Sequence, residues 1–168
     1  MRITLVHPSG FNFVPGQPDF SVLANRLAPV GILSLAAWLE QHGHPTAVYD
    51  CLGPLAPPSL EAQAAAILAT EPELVGFSAT TSGFMDAVDL ATLLKAARPG
   101  LFIVAGNAHA SSLGAPLLEH FPELDALCLG EGEGPLLDLA EGKAPAEIPN
   151  LVWRDGGLWP ARPEGLPD

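Results

Sequence analysis

The chain has 168 residues, 48% of them apolar and 15% charged, and its 19 acids against 7 Lys and Arg give a net charge of −12. That length suits one domain able to bury about 70% of its unfolded surface, and the apolar content excludes a disordered chain. The negative field repels nucleic-acid phosphates and anionic lipid, so neither is an expected partner, and no apolar run is long enough to span a membrane.

The first strand is predicted at Ile3–Val6 and ends in His7-Pro8-Ser9-Gly10. Its apolar stretch is too short for a signal peptide, so the expected compartment is the cytoplasm. The connection from Pro8 to Ala28 far exceeds the length usual between such elements, which marks it as functional or partly mobile. It carries Phe11, Asn12, Phe13, Phe20 and Arg26, enough aromatic surface to fold over a ligand. A helix is expected over Val30–His42, with Ile32, Leu35, Ala36 and Leu39 on one face and Gly43 at its end. The second strand, Ala47–Tyr49, runs into Asp50, and the second helix, Leu60–Ala69, starts behind Ser59 as N-cap. Next come a strand at Leu74–Ser78 and a helix at Met85–Ala97 that buries Val88, Leu90, Ala91 and Leu94. The last repeats are a strand at Phe102–Ala105, a short helix at Gly114–His120, a strand at Ala126–Leu129 and a helix after Pro135. Cys51 and Cys128 end or interrupt apolar runs, and no Cys-x-x-Cys pair exists. Both read as small buried hydrophobes, not as zinc, redox or iron–sulfur ligands.

Strands that are apolar throughout and alternate with helices indicate a parallel sheet covered on both faces. The expected fold class is α/β: a doubly wound, flavodoxin-like (Rossmann-like) five-stranded parallel sheet of order 2-1-3-4-5, with a C-terminal hairpin and linker tail. The expected division is a domain at 1–142 and a Pro-rich tail at 143–168. Within the tail, Leu151–Arg154 and Leu158-Trp159 around Asp155-Gly156-Gly157 read as a hairpin, and Pro163–Asp168 reads as an interdomain linker.

In such sheets ligands bind beyond the carboxyl ends of the strands. Here those ends are His7–Gly10, Ser78–Gly83, Gly106–Ser112 and Gly130-Glu131-Gly132-Glu133-Gly134, and none contains Lys or Arg. A phosphate site normally adds a cation or a glycine-rich turn into the first helix, and neither is present. A phosphorelay receiver needs Asp where Ser78 stands, and a flavodoxin needs its hydroxyl-rich loop after the first strand, not the third. Small residues at Ala79, Gly83, Gly106, Ala108, Ala110 and Gly130 leave a groove along which Ser78, Thr80, Thr81, Ser82, Asn107 and Ser111 can hydrogen-bond. Glu131 and Glu133 can accept from amide or backbone N–H groups, so the expected ligand is large, neutral at its edge and rich in hydrogen-bonding groups.

Pro29–Leu39, Gly43-His44, Asp50, Leu74–Thr81, Gly106–Ser111 and Gly130–Glu133 together carry a family likeness. The sequence resembles the cobalamin (vitamin B12)-binding domain that precedes the radical SAM domain in cobalamin-dependent radical SAM proteins, over about residues 1–142. That resemblance implies a corrinoid lying across the strand ends with its nucleotide tail in the groove. It implies cofactor contacts from His7, Ser78, Thr80, Thr81, Gly106, Asn107, His109, Ala110, Gly130, Glu131, Gly132 and Glu133, and no catalytic residue. It also implies a radical SAM domain as partner, in cis or in trans.

The sequence departs from the family at three places. The cobalt-ligating motif Asp-x-His-x-x-Gly of the methionine-synthase type is reduced to His7-Pro8-Ser9-Gly10, with Leu5 in place of the Asp. A metal-bound imidazole normally gives its other nitrogen to a carboxylate or carbonyl. None is local in the sequence, so no metal ligand is assigned and His7 stands only as the weakest candidate for cobalt. Asn107 replaces the second glycine of the usual pair. No Cys-x-x-x-Cys-x-x-Cys is present, so an iron–sulfur cluster and S-adenosylmethionine belong only to an absent downstream domain, and the chain reads as a non-catalytic part of a longer methyltransferase-type enzyme. The alternative is a non-catalytic flavodoxin-like sensor or interaction domain binding a flavin, a nucleotide or no cofactor. Plainer roles compete at single positions: a turn cap for His109 and Asp50, helix-end solvation for His42 and His44, and packing for Trp153 and Trp159.

Overall fold

The computed structural model describes residues 1–10 and 29–154. Strands β1 (Ile3–His7), β2 (Thr46–Asp50), β3 (Leu74–Ser78), β4 (Phe102–Gly106), β5 (Ala126–Cys128) and β6 (Leu151–Trp153) form one sheet of order β2-β1-β3-β4-β5-β6. The first five are parallel, in the expected order 2-1-3-4-5, and β6 adds antiparallel to β5.

Residues alternate between two cores along each strand, as the two-residue period requires. Ile3, Leu5, Leu74, Val104, Ala126 and Cys128 face α1 (Val30–Gln41) and α6 (Glu133–Ala140), meeting Ile32, Ala36, Leu39, Leu136 and Leu139. Val6, Val75, Phe77, Ile103, Ala105 and Leu127 face the other way, onto α2 (Leu60–Leu68) and α3 (Phe84–Ala97) through Ile67, Leu90, Ala91 and Leu94. Both faces are therefore covered, which is why the strands carry no polar alternation. Ser59 caps α2 as expected, its hydroxyl accepting from Ala62 N at 3.3 Å.

Three expectations change. The single helix at 114–120 is instead two, α4 (Ala108–Leu113) and α5 (Pro116–His120), parted at Gly114. The loop expected after β4 is thus mostly helix, because the Asn107 side chain accepts from Ala108 N and starts a turn of small residues. The last helix begins two residues before Pro135, at Glu133; Pro in a first helical turn sacrifices no hydrogen bond. The segment expected as the first arm of a hairpin tail pairs with β5 instead. Ile148, Leu151 and Val152 are buried in the two cores, which favours the sheet edge over a separate hairpin. The other arm, Leu158-Trp159, and the long connection carrying Phe11 and Phe13 lie outside the described residues. No helix among the described residues is long and apolar enough to cross a membrane.

Candidate functional site

A cavity of about 540 Å³ opens at the carboxyl edge of the sheet, between the sheet and the facing helices α1 and α6. Its floor is Leu5, Gly76 and Val104, three residues that lie opposite one another in register across β1, β3 and β4. One step nearer the edge on the same face, Ser78 and Gly106 stand side by side, with Cys128 beside them on β5. Gly31, Ser34 and Leu35 of α1 form one wall, and Glu131, Gly132, Glu133 and Leu136 form the other.

Gly76 makes the floor deep. A Cβ built there would stand 2.9 Å from Leu5 Cδ2, closer than side chains approach, so only glycine leaves this depression as it is. Neighbouring strands otherwise carry Leu and Val at this level, and a third branched residue would fill the hollow.

The mouth is tied together by side chains. Asn107 Nδ2 donates to Ser78 Oγ at 3.0 Å, joining the ends of β3 and β4. Ser111 Oγ donates to Asn107 O at 3.0 Å and accepts from Gly130 N at 2.9 Å, which carries the chain of bonds on to the β5 loop. Gly130 adopts φ +77, a conformation open to glycine that turns its N–H inward. Asn107 adopts φ +81 and ψ −173, a region that is essentially glycine-only and costs a side chain about 1–3 kcal/mol. Among the described residues the lining contains no Lys, Arg or His, and its formal charges are those of Glu131 and Glu133.

Of the residues singled out by sequence, Ser78, Gly106, Asn107, Gly130, Glu131, Gly132 and Glu133 line this cavity. Ala110 does not; it is fully buried in the core of the opposite face, because α4 turns it away from the groove. Thr80, Thr81 and His109 group on the far side of β3. His109 Nδ1 lies 3.2 Å from Thr81 Oγ1, and its ring stacks on Phe84 at 4.3 Å, while Thr80 Oγ1 meets Ser82 Oγ at 3.1 Å. They stand beside the mouth as a linked set, outside the cavity lining.

His7 stands on the same strand face as Leu5, two residues closer to the edge. Its Nδ1 meets Asp50 Oδ1 at 3.0 Å, and that oxygen also accepts from Leu52 N at 3.1 Å. The sequence shows no carboxylate near His7, yet the parallel register sets His7 directly opposite Asp50. Two neighbouring strands ending at the same level supply the carboxylate that the local motif lacks. With Nδ1–H given to Asp50, Nε2 is the ring's free acceptor. The following loop is held separately: Ser9 Oγ and Gly10 N both donate to the buried Asp86 on α3, the latter at 3.0 Å. Among the described residues no group of three or more His, Cys, Asp and Glu could hold a metal ion.

The sequence reading missed the sheet floor and the α1 wall. Their signal was present, since Gly76 interrupts the apolar run Leu74–Phe77, and Gly31 and Ser34 are small residues in a mostly apolar helix.

Both cysteines are buried and free. Burial pushes the Cys128 thiol up to about 12, and burial followed by the charges of Asp50 and Asp86 pushes Cys51 up to about 12. A folded pKa above the unfolded value of about 8.5 means stability fully present below that pH and lost as pH rises toward 12. Neither thiol should react with a chromogenic disulfide at pH 8 in the folded chain, and both should react in urea. Fast reaction of either in the native protein would contradict the packing.

Three comparisons bear on this geometry. The family model described as the B12 binding domain matches residues 17–140. An uncharacterized methyltransferase of Pyrococcus horikoshii is 32% identical over 91 residues, covering 52% of this chain and 20% of that protein. The anaerobic magnesium-protoporphyrin IX monomethyl ester cyclase of Rubrivivax gelatinosus is 26% identical over 140 residues, covering 83% of this chain and 24% of that protein. The chain thus spans a quarter or less of the length of these relatives.

Proposed function

The chain belongs to the B12-binding domain family, and we propose that it is the cobalamin-carrying module of a methyltransferase-like radical SAM enzyme, without a complete catalytic site of its own. Cobalamin is its cofactor, and the residues present fit that group on two counts. Gly76 leaves a hollow in the sheet that a branched side chain would fill, as a bulky tail requires. The hydrogens left at the mouth once Asn107 has bonded Ser78, those of the Ser78 hydroxyl and the Asn107 amide, belong to neutral donors, which suit a ligand whose rim is set with amides. The single observation that carries the reading is this cavity at the carboxyl edge of a parallel sheet, whose lining among the described residues carries no cation.

When bound, cobalamin supplies cobalt-centred transfer of a one-carbon group. The chain's own part is to bind and to orient. In this proposal Ser78, Gly106, Asn107, Gly130 and Gly132 hold the tail, and Glu131 and Glu133 accept from the amides of the rim. Thr80, Thr81 and His109 form the adjoining shoulder. His7, its ring fixed by Asp50, would present Nε2 toward a corrin bound at that edge. A radical SAM domain, in cis or in trans, is the proposed partner, and the cytoplasm the proposed compartment. The relatives, a methyltransferase and a tetrapyrrole-ester cyclase, support an enzyme context whose substrate lies outside these residues.

The test is direct. Protein mixed with hydroxocobalamin should emerge from gel filtration carrying the corrinoid's visible spectrum, near one cofactor per chain. Elution free of corrinoid would overturn the proposal; stabilisation by flavin or nucleotide instead would favour a sensor domain of the same fold.

A further inference from the structure

We propose that Glu131 and Glu133 tune the bound cofactor's redox chemistry, their charge lowering the potential at which its cobalt accepts an electron. The inference rests on the cobalamin reading above and adds an electrostatic role to it.

The described charges divide between the two ends of the sheet. Arg2 precedes β1, Lys95 and Arg98 end α3, Lys143 follows α6 and Arg154 follows β6, so these cations gather at the amino edge. Three are paired there: Arg2 with Glu71, Lys95 with Asp125 and Lys143 with Asp138. Among the described residues the carboxyl edge holds no Lys or Arg. Its acids are Glu131 and Glu133 in the cavity lining, Asp50 beside His7, and Glu61 and Asp86 in the first turns of α2 and α3. A five-residue strand parts the two ends by on the order of 13 Å. Physiological salt screens a charge over about 8 Å, so the distant cations do little for the upper end.

Two effects oppose this field, and magnitudes decide the first. The helices start at the carboxyl edge, and each N-terminus contributes about half a positive charge that fades within a turn. In α2, α3 and α6 that turn holds an acid, a whole negative charge against the half. The sum at this edge is therefore negative. The second effect is burial, which favours the less charged, reduced states of cobalt. Deleting charge at constant shape separates burial from field.

Cobalt responds in a known direction. Each one-electron step, from cobalt(III) to cobalt(II) and on to cobalt(I), adds an electron and removes one unit of positive charge. A negative potential binds the oxidised member of each couple more tightly. By linkage, a tenfold preference lowers the midpoint potential by about 59 mV. For the two glutamates together a preference on the order of tenfold is expected.

Glu131→Gln combined with Glu133→Gln deletes both charges and keeps a carbonyl oxygen on each side chain to accept from amides. Glu40→Gln combined with Glu141→Gln deletes the same charge at the far ends of α1 and α6, where both residues are exposed. Each protein is loaded with hydroxocobalamin and reduced without oxygen to the cobalt(II) form. The cobalt(II)/cobalt(I) midpoint is then read by spectroelectrochemistry, the electron coming from an electrode through small-molecule mediators. The site pair should raise the midpoint by about 59 mV, a tenfold change, and the distant pair should change it less than twofold. Raising salt from about 0.05 to about 0.5 M should lift the wild-type midpoint toward that of the site pair.

An unmoved midpoint in the loaded site pair would overturn the inference. An equal rise in the distant pair would trace the effect to overall charge and overturn it too. If the site pair loses the corrinoid, the wild-type salt series decides, and a midpoint indifferent to salt overturns the inference. Wild-type chain that retains cobalamin with no such shifts defeats the tuning alone; wild-type chain that retains none defeats the cobalamin reading as well.

Discussion

Gly76→Val is expected to abolish retention of cobalamin while leaving the sheet assembled. The substitution adds a branched side chain in the middle of the cavity floor, in register between Leu5 and Val104. Even the first added carbon stands 2.9 Å from Leu5 Cδ2. Leu5 can swing its terminal methyl aside for an alanine, so Gly76→Ala should weaken binding only partly. Valine leaves no such escape, since its two methyls and a displaced Leu5 compete for the same hollow. Overpacking of this kind costs about 1–3 kcal/mol of stability, which a domain of this size survives. Binding should fall by a hundredfold or more, because a group that cannot enter loses all of its contacts. Gel filtration with hydroxocobalamin and a far-ultraviolet spectrum give the two readouts. Wild-type affinity in Gly76→Val would mean that the tail lies elsewhere.

Asp125→Ala is expected to produce the largest loss of stability from a site remote from the cofactor. Asp125 immediately precedes β5, and its carboxylate accepts Lys95 Nζ at 2.9 and 2.7 Å and Ile103 N at 2.7 Å. Its backbone N donates to Ile103 O at 2.9 Å and its O accepts from Arg154 N at 3.0 Å. One residue therefore ties α3, β4, β5 and the end of β6. The Lys95 and Asp125 side chains are 21% and 25% exposed, so solvent screens the pair but does not dissolve it. Truncation strands the Ile103 N–H and the ammonium together, which should cost about 2–3 kcal/mol. For a chain of this length that lowers the melting temperature by roughly 4–12 °C. Lys95→Ala should cost less, because Asp125 keeps its backbone donor. Equal effects of the two substitutions in thermal unfolding would argue that the ion pair, not the joint, carries the stability.

The parallel order of the first five strands was legible because it depends on periodicity and chain rhythm, which are local. Val75 and Phe77 on one face and Leu74 on the other follow from that rhythm alone. The start of α4 was not legible, since it turns on the Asn107 side chain capping its own neighbour rather than on any apolar pattern. The pairing of Leu151–Trp153 with β5 was missed for a different reason. A three-residue apolar strand is compatible with a hairpin or a sheet edge, and only the vacancy beside β5 decides between them. At the site, the strand-end loops could be read because their residue types are unusual. The partnership of His7 with Asp50 could not, because it arises from register between two strands separated by a helix. Ala110 was misplaced for a related reason: a small residue in a stretch of small residues looks like groove until helical phase turns it inward.

The reversed direction of β6 has a topological outcome. Leu151 lies opposite Cys128 and Trp153 opposite Ala126, so the backbone departs beside Arg154 from the underside of the sheet, away from the cofactor. A catalytic partner joined beyond that point and reaching the corrin would have to be delivered by a connection that climbs back past the sheet. The ascent is on the order of 13 Å for a strand of five residues. With a partner joined in that way, the covalent link and the working contact would lie at opposite poles of the sheet.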